Sequence, residues 1–174
     1  MNIVRETESG TLLIEFEPVE ASVFTDTVGL VGSLIDLARH DEQMPDLASD
    51  PALRRLFPEA YADPEAEDEF RRFTREELVD LKLDDSFTVL TAFQNASAWP
   101  SVPTDHSVVI RVPAGEVVGW LRTITNLRLT LDARISQEPS TLSAPLDHED
   151  VDHFRRVYEW LGYMQESLIE AADA

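Results

Sequence analysis

Two histidines in a short acidic stretch are the first residues that suggest metal or acid–base chemistry. The segment from His148 to His153, HEDVDH, holds both of them together with three carboxylates. Ligands share a face of an α-helix when they are three or four residues apart, whereas a separation of five splays them by roughly 140°. We therefore predict no metal site here, and interpret the segment as the polar first turn of a helix, where carboxylates favour the positive end of the dipole. His40 and His106 stand alone and are expected at the surface.

The sequence lacks the motifs of nucleophilic and nucleotide chemistry. It contains no cysteine, which removes thiol nucleophiles, thiolate metal ligands and disulfides. Neither Gly-x-Ser-x-Gly nor Ser-x-x-Lys occurs, and the six glycines form no phosphate-binding loop. With 34 acidic residues, some carboxylate pairing is expected from composition alone and selects no acid–base pair. We predict that the protein is not an enzyme and has no catalytic residues, metal or cofactor.

The net charge indicates which partners the protein avoids. With 34 acidic and 14 basic residues, the chain carries a formal charge of −20. Such a field opposes nucleic acids and anionic membranes, whose binding depends on lysine and arginine. No apolar run reaches the ~18 residues of a membrane span, and the first residues do not resemble a secretory signal, so we expect a cytoplasmic protein. The expected partner is a basic protein surface, with no direct nucleic-acid or membrane contact.

Acidic residues concentrate in two tracts that suggest where such a partner docks. The candidate partner-binding residues are those of the first tract, Glu59, Asp63, Glu65, Glu67, Asp68 and Glu69. The second tract comprises Glu76, Glu77, Asp80, Asp84 and Asp85. A concentrated negative field would speed association with a basic protein and would weaken in salt. The same tracts also fit a solvated helix face, and high acidity with a single lysine, Lys82, also fits a salt-adapted protein.

Polar residues interrupt an otherwise apolar helical segment, WLRTITNLRLTLDARI, from Trp120 to Ile135. The candidate structural anchors in it are Arg122, Asn126 and Arg128. Arg128 lies on the apolar stripe, and because an unpaired buried charge is costly, we expect it to pair with a carboxylate. Gly119 and Gly162 lie inside helical patterns, where glycine costs about 1 kcal/mol relative to alanine, and are expected to allow close helix packing.

The strands that position these residues follow from apolar runs and turn signals. Ile3-Val4 and Leu12 to Phe16 flank a Ser9-Gly10 pair, which predicts a hairpin. The β-branched run from Val108 to Val112 predicts a third strand that completes the sheet.

Helices account for most of the remaining chain. Apolar spacing and capping signals predict helices from Val19 to His40, after Asp50-Pro51, after Asp63-Pro64, from Val117 to Ile135, and after Asp147. Thr74 and Glu77 fit a capping box, which predicts a fresh or kinked helix that continues into the nineties. Loops are expected from Asp41 to Asp50 and from Gln137 to Pro145. We predict one α+β domain over residues 1–174, mainly helical, with a bundle of about five helices and a small antiparallel sheet made of the hairpin and one later strand.

Three stretches of the chain are similar to one protein family. DPALRRLFPEAY from Asp50 to Tyr61, WLRTITNLRLTLDARI from Trp120 to Ile135 and YEWLGYMQESL from Tyr158 to Leu168 resemble an actinobacterial domain-of-unknown-function family that includes the oxidative-stress transcriptional regulator AosR. The resemblance implies action on transcription through a stress sigma factor. The redox response in one branch of that family is attributed to a cysteine pair, and this cysteine-free sequence does not carry it over.

The charge and the resemblance together predict a non-enzymatic acidic regulatory or adaptor protein. Its partner would be a basic protein such as a stress sigma factor or an RNA polymerase subunit. The alternative, which the resemblance implies, is a small enzyme or metabolite-binding domain linked to cysteine biosynthesis or ClpS-type proteolysis, with a pocket that includes Arg122 and Arg128. A pocket with converging polar groups would favour the alternative, and an exposed acidic or apolar patch would favour the adaptor. A homodimer is expected from the general frequency of symmetric dimers.

Overall fold

A computed structural model describes residues 1–39, 49–97, 107–137 and 148–173. They form the strands β1 (Asn2–Arg5), β2 (Leu12–Phe16) and β3 (Val108–Val112) and the helices α1 (Pro18–Leu37), α2 (Pro51–Leu56), α3 (Pro64–Ser97), α4 (Val117–Ile135) and α5 (His148–Asp173). The predicted fold class, mainly helical α+β with a small antiparallel sheet, is confirmed. The predictions for His40, His106, Asp147 and most of the two long loops concern positions outside the described residues.

The three strands form one antiparallel sheet in the order β1-β2-β3. The predicted hairpin turn is closed by Glu6, whose N–H donates to the carbonyl oxygen of Thr11 at 2.8 Å, and Gly10 adopts a φ of 67° there. This left-handed conformation favours glycine over other residues. The central strand buries Leu12, Ile14 and Phe16, so the sheet presents one apolar face to the helices.

An aromatic cluster joins this sheet to the helices. The Phe24 ring of α1 stacks on the Trp120 ring of α4 with centroids 5.9 Å apart. Phe16 of β2 and Phe93 of α3 have ring centroids 5.2 Å apart, and the Trp160 ring of α5 meets Phe24 edge-on at 6.0 Å. Because these aromatic rings come from one strand and four helices, their burial fixes the relative positions of those elements.

Helix α4 is the central helix of the bundle. It packs against α1, α2, α3 and α5, and its buried side chains include Trp120, Ile124, Leu127 and Leu131. A helix with neighbours on so many sides has little solvated surface. The polar residues that interrupt its sequence therefore lie at or near helix–helix interfaces.

Asp50 starts α2 and also ties it to α4. Its Oδ1 accepts a hydrogen bond from the backbone N–H of Ala52 at 2.7 Å, and its Oδ2 accepts one from Nη2 of Arg134 at 2.8 Å. The predicted helix start is confirmed, with Asp50 as N-cap and Pro51 in the first helical position. One side chain thus satisfies a helix terminus and pairs with a charge on the neighbouring helix.

Of the fresh or kinked helix predicted after Thr74, the fresh start is wrong. Helix α3 is a single element of 34 residues, about 50 Å long at ~1.5 Å per residue. Thr74 donates its hydroxyl to the carbonyl oxygen of Phe70 at 2.8 Å, one turn back in the same helix, and so does not cap a new one. The helix starts where Asp63 predicted, since Asp63 Oδ2 accepts from the N–H of Ala66 at 3.2 Å.

Candidate functional site

All but one member of the first acidic tract face solvent. Its exposed members are Glu59, Asp63, Glu65, Asp68 and Glu69. Glu67, by contrast, is 7% exposed, and its Oε2 accepts hydrogen bonds from the backbone N–H groups of Ala60 at 2.8 Å and Tyr61 at 3.0 Å. Glu67 was predicted to bind a partner, but its carboxylate is buried and accepts hydrogen bonds from two backbone donors. Its role is therefore to stabilise the turn before α3.

The second acidic tract contributes to a solvent-facing stripe along α3, which we call the α3 outer face. Its members, separated by three, four or seven residues apart from the adjacent pair Glu76 and Glu77, are Glu69, Phe73, Glu76, Glu77, Asp84 and Phe87, all of them exposed. The rings of Phe73 and Phe87 are exposed to 64% and 70%. Asp80 lies between them and is paired with Arg39, which follows the C-terminus of α1.

Asp85, the last acid of the second tract, is buried and paired with Arg122. Its carboxylate accepts from Nε of Arg122 at 2.6 Å and from Nη2 at 2.8 Å, which is a bidentate pair. These hydrogen bonds raise the pKa of Arg122, so the guanidinium stays charged. A Cβ at Gly119 would lie 2.8 Å from Asp85 Oδ1. Gly119 therefore allows the close approach that its helical position predicted, and the group that approaches is a carboxylate.

Lys82 and Asn126 form a second polar pair between α3 and α4. Lys82 Nζ donates to Asn126 Oδ1 at 2.8 Å and lies 5.6 Å from the centroid of the Phe57 ring. Asn126 is 3% exposed, and no residue in the described part of the chain accepts a hydrogen bond from its Nδ2. Burial lowers the pKa of Lys82, while the Asp85 carboxylate nearby acts in the opposite direction.

Arg128 has neutral partners where a carboxylate was expected. Its Nη1 donates to Oε1 of Gln165 at 2.7 Å, its Nη2 donates to the hydroxyl of Tyr158 at 3.2 Å, and its Cζ lies 4.7 Å from the Tyr158 ring centroid. A Cβ at Gly162 would lie 3.5 Å from this guanidinium. Because Arg128 is only half-buried, oxygen acceptors and an aromatic face are sufficient to hold it at the α4–α5 interface.

A groove between α3 and α4, the α3–α4 groove, brings the first two polar pairs together. It encloses about 420 Å³ and is lined by the apolar residues Leu78, Leu81, Val118, Leu121 and Leu129 and by the polar residues Lys82, Asp85, Arg122, Thr125 and Asn126. Arg122 and Asn126, predicted as structural anchors, both line it, whereas Arg128 contacts α5. The alternative hypothesis placed Arg122 and Arg128 in one pocket, and only Arg122 lines this groove. The sequence did not indicate which elements form the walls, because the two walls are separated by more than thirty positions. Lys82 stood out only as the single lysine.

The described ranges contain neither a candidate metal site nor a candidate membrane-spanning helix. No set of three or more histidine, aspartate or glutamate residues there could hold a metal ion. His148 and His153 are both exposed on α5. None of the described helices combines the length and apolar character that crossing a bilayer requires.

Comparison with known proteins assigns the chain to a family. The family model described as Domain of unknown function (DUF2017) matches residues 1–172, nearly the whole chain. Neither the curated proteins nor the solved structures contain a match. The match spans all of the described strands and helices except the last residue of α5. On this evidence the chain belongs to the DUF2017 family.

Proposed function

We propose that this protein is a non-enzymatic regulatory or adaptor protein that binds a basic partner protein through the α3 outer face. The observation that carries the proposal is the pair of exposed phenylalanines set among carboxylates on one helix. Phe73 and Phe87 lie on the same side of α3, about 21 Å apart along an axis that rises ~1.5 Å per residue. Both rings are more than half exposed, so neither position contributes much to the core.

The chemistry of this face fits protein recognition. Aromatic side chains commonly supply the buried anchors of an interface, and charged groups around them set its orientation and association rate. Glu76, Glu77 and Asp84 lie between the two rings along the stripe. A partner that offers apolar sites for the rings and arginine or lysine beside them would be complementary to the face. The charge of −20 extends this attraction over the whole molecule at low salt.

The family resemblance supports a protein of the transcription machinery as the partner. The three stretches quoted above resemble the actinobacterial family that includes AosR, and that resemblance implies a stress sigma factor or an RNA polymerase subunit. The negative charge supports regulation through protein contact, without direct contact between this protein and DNA.

The test compares two matched double variants in affinity capture from the host. Phe73→Ser with Phe87→Ser removes the aromatic rings of the α3 outer face, and Val19→Ser with Leu30→Ser removes two equally exposed apolar side chains from α1. Proteins bound to each variant and to the wild type are identified by mass spectrometry at low and at moderate salt. We expect a sigma factor or polymerase subunit to bind the wild type and the α1 variant at low salt, to dissociate as salt rises, and to be lost with the α3 variant.

Two results would contradict the proposal. One is capture that the α3 variant retains at the wild-type level, since the rings would then have no part in binding. The other is a specific partner whose binding does not respond to salt, because a docking surface built on carboxylates must weaken as charges are screened.

A further inference from the structure

We infer that the α3–α4 groove is a binding site for a small organic carboxylate with an aliphatic chain. This site is separate from the α3 outer face, and the inference does not rest on the proposed docking function. It rests on hydrogen-bond donors that lack acceptors, on the local balance of charge, and on the apolar walls.

Two donors at the polar end of the groove lack a full set of acceptors. An ammonium can donate three hydrogen bonds, and within the described ranges Lys82 donates one, to Asn126 Oδ1, with the Phe57 ring as its other contact. The Nδ2 of Asn126 is buried and donates none there. Buried polar groups nearly always have a hydrogen-bond partner, so the Asn126 amide requires an acceptor. Lys82 is half-buried, and its ammonium has further hydrogen bonds to donate to the same acceptor.

The charges of the groove favour an acceptor that is an anion. Its charged lining residues are Lys82, Arg122 and Asp85. The Asp85 carboxylate accepts two hydrogen bonds from Arg122, whereas Lys82 donates to Asn126. The lining thus has one cation in excess, in a chain whose net charge is −20. A carboxylate bound beside Lys82 would balance that charge and would also accept from the amide of Asn126.

The remaining walls require an apolar body on the ligand. Leu121 and Leu129 of α4 face Leu78 and Leu81 of α3 across the groove, and Val118 completes the lining. Leu78, Leu81 and Val118 are among the large apolar side chains that solvent reaches. A volume of about 420 Å³ lies within the range of small-molecule pockets, which are mostly apolar with a few polar groups. An inorganic anion would leave these walls exposed, and a neutral hydrocarbon would leave the donors unmet.

Because Lys82 is the only lysine, its side chain can be observed alone by NMR. Lysine labelled with ¹³C gives one Cε signal, which we would follow in the intact chain during titration with octanoate. Propionate, which keeps the carboxylate and loses most of the chain, and octylamine, which keeps the chain and reverses the charge, are the controls. We expect octanoate to shift the signal in a saturable way, and propionate to bind at least about tenfold more weakly because each buried methylene contributes. Octylamine should not shift it.

Variants separate the groove from binding elsewhere on the surface. Leu81→Glu places a carboxylate on an exposed wall position and should weaken octanoate binding at least about tenfold by charge repulsion. Leu30→Glu makes the same change on the exposed surface of α1 and should leave binding unchanged. Lys82→Met should abolish binding, measured by calorimetry, while circular dichroism verifies the fold. No shift of the Lys82 signal, equal binding of octylamine, or wild-type affinity in Leu81→Glu would each overturn the assignment.

Discussion

The pKa of Lys82 depends on the burial of its ammonium and on the charges near it. Desolvation of its ammonium lowers its pKa from the ordinary value of 10.5; the nearby Asp85 raises it and Arg122 lowers it further. The unfolded chain therefore binds this proton more tightly than the folded one does. Between the lowered pKa and about 10.5, the contribution of Lys82 to the free energy of unfolding therefore rises with pH. Below the lowered pKa the ammonium is charged in both states, and its burial makes the folded protein less stable than it is at higher pH.

We expect the ¹³C titration of Lys82 to have its midpoint below 10.5. The contribution to stability is measured by urea unfolding across the same alkaline range. Lys82→Met is the reference, because every other titratable group is present in both proteins. The difference in unfolding free energy between wild type and variant should move in favour of the wild type as pH rises. A midpoint at or above 10.5 would contradict the burial that the structure assigns to this group.

Gly119 offers a second test at the scale of one residue. In a helix interior, alanine is about 1 kcal/mol more favourable than glycine. At Gly119 the added methyl would lie 2.8 Å from Asp85 Oδ1 and would push that carboxylate away from Arg122. We expect Gly119→Ala to lower the free energy of unfolding by about 1–3 kcal/mol, as overpacking does. Gly29→Ala in α1, where nothing lies within 4 Å, should leave it unchanged or raise it. Equal effects of the two substitutions in urea unfolding would refute this account of Gly119.

At the scale of elements, local patterns predicted the chain well where the structure also depends on local contacts. The Ser9-Gly10 turn, the Asp50-Pro51 start and the strand from Val108 to Val112 are all present, because each depends on backbone conformation within a few residues. The pattern at Thr74 failed, since a threonine can cap a helix or bond back within one. Burial of Val79, Val89 and Phe93 in the core is compatible with one continuous α3.

The sequence could not predict which distant elements contact each other. Asp85 and Arg122 are 37 positions apart, and periodicity marks each helix without saying which faces meet. The partners of Arg128 show the same limit: polarity predicted an anchor, but the acceptors, Gln165 and Tyr158, depend on the packing of α5 on α4. The buried position of Glu67 depends on the turn at Ala60 and Tyr61, which no helical pattern describes.

The double role of Asp50 gives a prediction for α2. Asp50→Ala removes both the N-cap and the pair with Arg134, and should lower the free energy of unfolding by about 1–2 kcal/mol. Asp50→Asn keeps an oxygen for the cap and loses only the charge, so its cost should be smaller. Urea unfolding of both variants measures the difference. If Asp50→Asn costs as much as Asp50→Ala, the charge pair and not the cap holds α2 in place.

The whole molecule carries more negative charge than its fold needs. Of the acids discussed above, Glu67 and Asp85 are buried and hold specific donors, whereas most of the others face solvent. Like charges at this density repel one another and make the compact state less stable. Either a partner or a salty environment would explain why so many are present, and the two explanations predict different behaviour of the α3 outer face.

Neutralising that face should separate stability from binding. Glu69→Gln, Glu76→Gln, Glu77→Gln and Asp84→Asn together remove four exposed negative charges while keeping similar side-chain shapes. At about 0.01 M salt, where charges interact over roughly 30 Å, we expect this variant to melt at a higher temperature than the wild type; at about 1 M, where the range is roughly 3 Å, the two should melt alike. If the acids serve a partner, the same variant should associate with the captured partner more slowly at low salt, as measured by surface plasmon resonance. If the variant is more stable and associates as fast as the wild type, the carboxylates of this face repel one another and do not contribute to partner binding. That result would favour adaptation to a salty environment as the reason for the charge of this face.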